Sequence, residues 1–533
     1  MKKNIFLLLA LFSTSSLFAQ TPNQYLPYSF DHYQKFNKQA YDQNSRFHSS
    51  IKPYFGDDSL LSQAVDSVYN FGLDTAVKRT WVHRKLFNEH LIDIKTPDYT
   101  VYADFLPDFQ IGYDSQAGNT WLNTRGYQVG GTIGKKFSFY TSGFENQAVF
   151  PGYYLEYINA NGIIPGQVND KFGPTKSTKD WAYATAILSY TPVKYLNLTL
   201  GQDKNFIGDG YRSMLLSDVA ATYPFFKLTA NLGRVKYMAM WAQFQDLRAP
   251  EFSYDNGYRK KWGVFHYLDW NVTNKLSLGF FDSVIWQDAD EDGKRGFDFM
   301  YANPFIFLRP IEGQNGSPDN ALIGFTGKYE LFKNLAVYGQ FAADEFTAKE
   351  VFSNKGYWAN KFAYQLGIKG FDAFTVKNLN YLLEFNTARP FTYSQRNSLL
   401  NYGHYNQALA HPMGANFREF VSIWNYSFKR FELKGQVNFA QYGLDGTGEN
   451  FGKDIYKPYD TRNGNYGYKT GGGIKTDFSF IQGKIGYLIN PKYNLRLETG
   501  FTSRIEENVN FSQKNNFITF GLRSSFRNLY EDF

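Results

Sequence analysis

The sequence predicts an all-β protein, a transmembrane antiparallel β-barrel of about 18 strands with a small N-terminal helical periplasmic segment. From Tyr99 onward, apolar and polar residues alternate with the period of a strand. The connections between these segments are alternately short and long, as in outer-membrane barrels. Composition agrees, because 52 Phe, 41 Tyr and 9 Trp make 19% of the 533 residues aromatic, and barrels of this class carry aromatic girdles.

The N-terminus predicts a signal peptide over residues 1–19. Lys2 and Lys3 form a positive start, residues 5–12 are apolar, and Ala19 is a small residue before a cut at Gln20. The apolar run is too short to span a membrane as a helix. We therefore expect an exported protein located in the outer membrane.

Composition excludes several classes of function. The chain has no Cys, so disulfide, thiolate and lipid-anchor chemistry are not expected. Removing Lys2 and Lys3 leaves 54 basic against 49 acidic residues, a net charge of +5, which is too small to indicate nucleic-acid binding. Neither the HExxH nor the GxSxG motif occurs, so we expect no enzyme and no catalytic residues.

Residues 20–97 predict the helical periplasmic segment. Leu60, Leu61, Val65 and Val68 share one face at helical spacing within residues 58–71, and residues 76–91 have similar spacing. For residues 20–55, an extended tail is an equally good interpretation. The barrel itself is predicted over residues 98–533.

Eighteen strand segments follow from the alternation, which is clearest where Phe431, Leu433, Val437 and Phe439 alternate with polar residues. We expect these four side chains to face lipid, and their polar neighbours to face the lumen. The segments lie at residues 99–114, 124–134, 136–149, 180–190, 195–206, 222–232, 234–247, 260–271, 275–287, 321–332, 334–347, 358–371, 376–393, 416–428, 430–444, 472–489, 492–506 and 515–526.

Connection lengths orient the barrel. Turns after even-numbered segments are tight, and those after odd-numbered segments are mostly long, which places the short turns in the periplasm and the long loops outside. The long loops are residues 150–179, 207–221, 248–259, 288–320, 394–415 and 445–471. A barrel of this width is not filled by its wall side chains, so the lumen is either a water-filled channel or plugged by loops.

Four stretches resemble a known family. Residues 201–218 (GQDKNFIGDGYRSMLLSD) look like the signature segment of the capsule assembly protein Wzi family of outer-membrane barrels. Residues 84–108, 295–324 and 407–420 resemble the branch of that family found in gliding bacteria, which includes the gliding-motility protein RemB. The resemblance implies an 18-stranded barrel acting at the cell surface with polysaccharide or in adhesion and gliding, and it implies no enzyme.

An acidic stretch predicts a calcium site. Asp288, Asp290 and Asp292 have the i, i+2, i+4 spacing at which hard-cation loops present oxygen ligands, followed by Gly293. The twelfth position is Phe299 rather than a bidentate Glu, so the loop is not a complete EF-hand. The alternative is a solvated acidic loop tip. Calcium is the only cofactor that the sequence indicates.

Three long loops predict a glycan-binding mouth. Carboxylates and amides accept hydrogen bonds from sugar hydroxyls, Arg donates to them, and aromatic faces stack on sugar rings. Because odd-numbered strands run outward, these groups meet at one end of the barrel. The alternative is that their charges pair with one another and close the mouth. The candidate residues are Asp203, Asp209, Tyr211, Arg212, Arg309, Glu312, Asp319, His411, Asn416 and Glu419.

Two functions remain open from the sequence. One is a barrel that binds or helps assemble surface polysaccharide, associated with capsule attachment or gliding motility. The other is a passive diffusion porin. The expected partners are the lipid bilayer, surface polysaccharide, and outer-membrane or gliding-machinery proteins, with no nucleic acid.

Overall fold

The structure is a computed structural model that describes residues 24–55, 59–73, 77–249, 257–305, 307–316, 318–351, 353 and 355–533. The predicted signal peptide, residues 1–19, lies outside the described residues. None of the helices in the described parts of the chain is long and apolar enough to cross a membrane.

Eighteen antiparallel strands form a closed barrel, which confirms the predicted fold class and strand number. Each predicted segment overlaps one strand. The strands are β1 Tyr99–Asp114, β2 Gly118–Ile133, β3 Phe137–Val149, β4 Thr178–Val193, β5 Leu196–Asp203, β6 Tyr223–Asn231, β7 Val235–Asp246, β8 Arg259–Asn271, β9 Leu276–Gln287, β10 Asn320–Phe332, β11 Leu335–Glu345, β12 Lys361–Gly370, β13 Leu379–Ala388, β14 Phe417–Phe428, β15 Phe431–Leu444, β16 Ile474–Asn490, β17 Leu495–Glu507 and β18 Ser512–Ser524.

Closure joins β18 to β1, so the barrel has no free edge at that seam where Phe517 to Leu522 pair with Asp114 to Phe109. The outward faces are apolar, as the alternation predicts: Leu200, Phe431 and Phe439 are 59%, 48% and 53% exposed. This outward belt faces lipid, and the chain is a transmembrane barrel of the outer-membrane class.

The described helices and 3₁₀ turns are short, and none of them is part of the barrel wall. The helices are α1 Phe30–Tyr33, α2 Asn37–Ala40, α3 Ser59–Tyr69, α4 Trp81–Phe87, α5 Gly152–Asn161, α6 Leu308–Asn315 and α7 Ala348–Val351, with 3₁₀ turns at Phe299–Tyr301, Ala373–Thr375, Ser398–Leu400 and Tyr459–Thr461. Short paired strands lie at Ile51–Lys52 with Phe206–Ile207, Ala289–Asp290 with Gly293–Lys294, and Gly403–His404 with Gln407–Ala408, while Ile92–Lys95 pairs with β1.

Residues 24–55, the N-terminal plug, enter the lumen. For these residues the sequence predicts a helical periplasmic segment or an extended tail, and in the structure they lie inside the barrel. His48 Nδ1 lies 3.0 Å from a carboxylate oxygen of Asp269 on β8, and the Lys434 amine on β15 donates to Asp31 at 2.9 Å. Polar wall residues need partners once water is excluded, and the plug supplies them.

Residues 204–222, the plug loop, join β5 to β6 by folding back into the lumen. Their first strand, Phe206–Ile207, pairs with Ile51–Lys52 of the N-terminal plug. Met214, Leu215 and Leu216 are fully buried in the largest apolar cluster. The long loop that the sequence predicts as an outer loop therefore serves as part of the interior packing.

Residues 525–533, the C-terminal tail, also occupy the lumen after β18 ends. The Tyr530 hydroxyl donates to Asp218 of the plug loop at 2.7 Å, and the ring of Phe533 lies 4.6 Å from that of Tyr157 on α5. β18 ends at Ser524, so Phe533 lies in the tail and not on the barrel wall.

Together these three segments fill the barrel. Lumen-facing polar side chains are buried on strands around the whole wall, whereas an open aqueous channel would leave them exposed. They include Ser142, Asn146, Thr185, Thr199, Lys227, Asp269, Lys328, Gln365, Glu384, Asn438 and Thr502. Of the two alternatives for the lumen, the structure has the plugged one.

Candidate functional site

Arg212 of the plug loop lies at the centre of a buried polar cluster. Its Nη2 atom donates to Glu419 on β14 at 3.1 Å, and to the side chain and the carbonyl of Asp532 in the tail, both at 2.9 Å. Asn438 donates to both carboxylates, at 3.2 Å and 2.9 Å. The cluster thus ties the plug loop, the tail and the wall into one network.

Glu384 on β13 anchors the backbone of the same loop. Its carboxylate accepts the N–H groups of Tyr211 at 2.8 Å and Arg212 at 3.0 Å, and the Tyr338 hydroxyl at 2.7 Å. A β-carbon at Gly210 would collide with this carboxylate. The Gly-rich stretch of the loop is therefore required by close approach to the wall.

His411 completes the cluster from the outer side. Its Nδ1 accepts the Met413 N–H at 3.2 Å, so Nε2 carries the proton and donates to Glu419 at 2.8 Å. Burial lowers the pKa of His411 to about 4, although Glu419 opposes that shift. The imidazole is therefore uncharged at neutral pH, and its role in the cluster is to pack and to donate one hydrogen bond.

Asp209 occupies a separate buried cluster at the junction of plug loop and N-terminal plug. It accepts hydrogen bonds from Tyr41 and Ser49, both at 2.6 Å. Burial raises the pKa of Asp209, but Lys328 and Lys52 outweigh burial and leave that pKa below its usual range. Asp203, at the end of β5, accepts a hydrogen bond from the Tyr25 hydroxyl of the same plug.

The loop after β9 lies elsewhere, against the outside of the barrel wall. The Trp241 indole on the outward face of β7 donates to the Tyr301 carbonyl at 2.8 Å, and the Leu308 N–H donates to Asp282 on β9 at 2.7 Å. Arg309, whose side chain is 54% exposed, pairs at 2.7 Å on α6 with Glu312, whose side chain is 13% exposed. Asp319 is held by Arg295 at 2.7 Å. The described residues of this loop thus pack on the outer wall rather than in the lumen.

Glycan contact by the predicted residues stays a prediction, and the structure places most of them in polar pairs within the chain. The structure brings the loops after β5 and β13 together, but it uses their polar groups to fill the barrel. Asn416, for example, is fully buried, and its amide donates to the Gly472 carbonyl at 2.9 Å. The sequence could not show that these loops turn inward. The residues that lie in buried or half-buried structural pairs are Asp203, Asp209, Tyr211, Arg212, His411, Asn416 and Glu419, with Asp319 and Glu312 on the outer wall and only Arg309 more than half exposed.

The three acidic residues Asp288, Asp290 and Asp292 lie at a tight hairpin and have local partners. Asp288 accepts the Trp262 indole N–H at 2.6 Å, and Asp290 accepts the Asp292 N–H at 3.0 Å. Within the described residues, no group of three or more His, Asp or Glu side chains is arranged to hold a metal ion. Calcium binding stays a prediction, without a preformed ligand set.

An open cavity lies at the outer end of the filled barrel, and we call it the outer cleft. Its volume is about 540 Å³, and it lies between α5, the loops after β7, β13 and β15, and the C-terminal tail. Its lining includes Tyr157, Asn161, Arg248, Asn406, Asp454 and Tyr456. Val219 and Tyr530 also line it, so the plug loop and the tail form part of its surface.

Arg248 is the central polar group of the outer cleft. It donates to Asp454 at 3.1 Å and to the Asn161 side chain at 2.7 Å, and its guanidinium lies 5.1 Å from the centre of the Tyr456 ring. The side chains of Arg248 and Asp454 are 39% and 50% exposed. Donors, acceptors and an aromatic ring are thus available to a ligand from outside.

The sequence gives little signal for this cleft. Its residues come from six separate segments, and the position of most of them in predicted long loops was the only indication that they lie toward the outer surface. The sequence contains several long loops and does not indicate which of them enter the lumen and which stay outside. Only the contacts within the assembled barrel determine this.

No protein-family model and no curated protein match the chain. Among solved structures, it is similar to Wzi, described as an outer membrane protein involved in group 1 capsule assembly in Escherichia coli and a carbohydrate-binding β-barrel. That match has 12% identity, covers 94% of this chain and 99% of the other, and has a TM-score of 0.54. OprD of Pseudomonas aeruginosa matches at 10% identity over 79% of this chain and 94% of the other, with a TM-score of 0.43.

The fold and the filled lumen together define the class of protein: an outer-membrane β-barrel that is closed by its own chain. Within that class, the chain has the overall fold of Wzi, as the resemblance of residues 201–218 led us to expect.

Proposed function

We propose that this barrel binds surface polysaccharide in the outer cleft and helps to hold or assemble it at the cell surface, without catalysing a reaction. The observation that carries the proposal is the half-exposed pair of Arg248 and Asp454 beside Tyr456, in a cleft of about 540 Å³ above a filled lumen. That volume lies in the range of roughly 300–1,000 Å³ that is usual for ligand sites.

The chemistry of the outer cleft suits a sugar. A pyranose presents hydroxyls that donate to carboxylates and accept from guanidinium and amide groups, and its C–H face packs on aromatic rings. Asp454, Arg248 and Asn161 supply the polar groups, and Tyr456 and Tyr157 supply rings. Arg248 and Asp454 are paired with each other in the free protein, but both side chains are half-exposed, so each can exchange its partner for a sugar hydroxyl.

The likeness to Wzi supports a carbohydrate ligand, since that protein is described as carbohydrate-binding. The resemblance of residues 84–108, 295–324 and 407–420 to the gliding branch supports a role in motility instead of, or beside, capsule attachment. A deletion strain separates these roles by whether it loses capsule, gliding or both. Outer-membrane or gliding-machinery proteins would then be sought among proteins that co-purify with the barrel.

Binding to purified polysaccharide tests the proposal. Full-length protein is immobilised, and surface polysaccharide from its own cells is passed over wild type, Arg248→Ala and Asp454→Asn. We expect each cleft variant to bind at least several-fold more weakly. Arg309→Ala is the matched control, because Arg309 is also an exposed arginine in an ion pair but lies on the outer wall. Absence of binding by folded wild type would remove the carbohydrate role.

A further inference from the structure

The periplasmic rim of the barrel carries an exposed apolar segment that the proposed function does not use. Residues 77–95, here the rim segment, contain α4 and the short strand Ile92–Lys95. No residue of α4 is buried. The segment exposes seven large apolar side chains, at fractions from 43% to 64%: Val77, Trp81, Val82, Leu86, Leu91, Ile92 and Ile94. In water, such a concentration of apolar surface marks an interaction site.

The register of the short strand shows what this surface adjoins. Ile92 pairs with Ala103 of β1, and Ile94 pairs with Val101. Directly opposed residues of paired strands share a face, and on β1 this is the outward face that also carries Phe105 and Ile111, which are 50% and 67% exposed. Ile92 and Ile94 therefore extend the lipid-facing belt toward the periplasm.

Hydrogen bonds hold α4 at the same height on the barrel, beside its periplasmic rim. The amide of Asn490, the last residue of β16, donates to the carbonyls of Lys85 and Glu89 at 3.0 Å and 3.1 Å. The Tyr493 hydroxyl donates to the Lys85 carbonyl at 3.3 Å. Because even-numbered strands end in the periplasm, α4 lies against the inner rim of the barrel wall, where the bilayer interface begins.

Charge selects the kind of surface that the rim segment fits. It contains Lys78, Arg79, Arg84, Lys85 and Lys95 against Glu89 and Asp93, five positive and two negative charges, or a net +3. Lys78 and Arg79 are exposed at the start of α4. A Trp beside Lys and Arg, next to exposed Val and Leu, is the composition of helices that lie in the plane of an anionic membrane interface.

We propose that the rim segment binds the inner-leaflet surface of the outer membrane, with Trp81, Val82 and Leu86 between the lipid headgroups and with Lys78, Arg79 and Arg84 contacting anionic phospholipid phosphates. The continuity of Ile92 and Ile94 with the lipid belt favours lipid over a soluble periplasmic protein as the occupant. The proposal does not depend on glycan binding.

The contact would also protect the barrel seam. β18 pairs with β1 only from Phe109 to Asp114, so the lower part of β1 lacks β18 as a neighbour. The strand Ile92–Lys95 pairs with β1 from Thr100 to Ala103 instead. Holding the rim segment on the membrane keeps this strand in place and covers an edge that would otherwise be free to pair with other chains.

Fluorescence quenching in vesicles tests the proposal. The chain has no Cys, so Leu86→Cys carries a single environment-sensitive fluorophore in the full-length protein. Vesicles of phosphatidylethanolamine, with or without phosphatidylglycerol, contain lipids spin-labelled near the headgroup. Lys333→Cys, in the exposed periplasmic turn between β10 and β11, is the matched control. Val82→Cys repeats the measurement at a second position, and gel mobility before and after heating confirms folding.

We expect the lipid spin label to quench the probe at Leu86 several-fold more than the probe at Lys333, and aqueous iodide to show the reverse order. Exchanging Lys78→Glu and Arg79→Glu together should reduce lipid quenching at Leu86 in vesicles that contain phosphatidylglycerol and leave it unchanged without that lipid. Equal iodide quenching at both positions would overturn the membrane contact. Lipid quenching that the charge exchange leaves intact would overturn the phosphate contact. Shielding in cell membranes but not in pure lipid vesicles would identify a protein occupant and overturn the proposal.

Discussion

Arg212 and Arg309 both lie in loops predicted to form the glycan-binding mouth, and both pair with a Glu, yet their surroundings differ. The side chain of Arg212 is fully buried between Glu419 and Asp532, whereas that of Arg309 is 54% exposed beside Glu312. Removing a buried partner leaves charges without water or a counter-ion, and an exposed pair is replaced by water at little cost. An arginine therefore stabilises the interior of the barrel at position 212, whereas at position 309 it contributes little to stability.

The largest expected effect separates these two arginines. Arg212→Met leaves Glu419 and Asp532 buried without their cation, so we expect the free energy of unfolding to fall by about 3–5 kcal/mol. Arg309→Met should change it by less than about 1 kcal/mol. Urea unfolding of the two variants in the same lipid vesicles measures the difference. Equal stabilities would mean that the Arg212 cluster is hydrated rather than buried.

A charge on the outer face tests the other side of the wall. Leu433 on β15 is 40% exposed on the lipid-facing side. Leu433→Arg should lower the free energy of unfolding by about 2–4 kcal/mol if the residue lies near the bilayer midplane. Leu433→Ile is the control for shape. An unchanged stability of the Arg variant would contradict the assignment of this face to lipid.

Acid should weaken the buried cluster around Arg212 before it affects the Arg309–Glu312 pair. The pKa of His411 is about 4 in the folded chain because of burial, against about 6.5 when unfolded. The unfolded state therefore takes up the proton first, and the stability contributed by neutral His411 is complete above about pH 6.5 and lost as pH falls toward about 4.

His411→Gln keeps a hydrogen-bond donor for Glu419 but does not titrate, so its unfolding free energy should depend less on pH in this window. Unfolding curves of wild type and variant at a series of pH values provide the measurement. His404 is buried in the outer hairpin and its pKa is lowered to about 3 by burial, so it sustains part of the slope in both proteins. Identical slopes would exclude His411 as a contributor.

The smallest expected effect concerns calcium at the hairpin of Asp288, Asp290 and Asp292. Since Asp288 and Asp290 already accept protein hydrogen bonds, we expect calcium to change protease digestion of this hairpin only slightly. Strong protection that chelator removes and the triple Ala variant lacks would show that the three carboxylates rearrange around the ion.

The strands of the barrel wall could be predicted from the sequence, and the three segments that fill the lumen could not. Strand positions follow from local alternation, so Phe431 and Gln436 could be assigned to opposite faces from their neighbours alone. The inward course of Arg212 depends on contacts with Glu419 and Asp532, which are 207 and 320 residues away. A polar loop sequence is equally compatible with a loop in solvent and with a buried loop whose polar groups are all paired. Only the contacts in the assembled barrel distinguish the two.

The same reason explains why the candidate site could not be located from the sequence. The predicted glycan residues have the right chemistry, but that chemistry is also what a buried network requires. Arg248 and Asp454 carry no stronger sequence signal than Arg212 does. They remain half-exposed because three other segments fill the space beneath them.

Ion conduction tests the central claim, a barrel closed by its own chain, most directly. Wild-type protein is inserted into a planar lipid bilayer, and the current is recorded under a constant voltage. Because the N-terminal plug, the plug loop and the C-terminal tail bury the lumen-facing side chains, we predict no steady conductance and no swelling of protein-containing liposomes in small sugars. A stable open-channel current from the folded wild type would contradict the closed lumen and favour a diffusion porin.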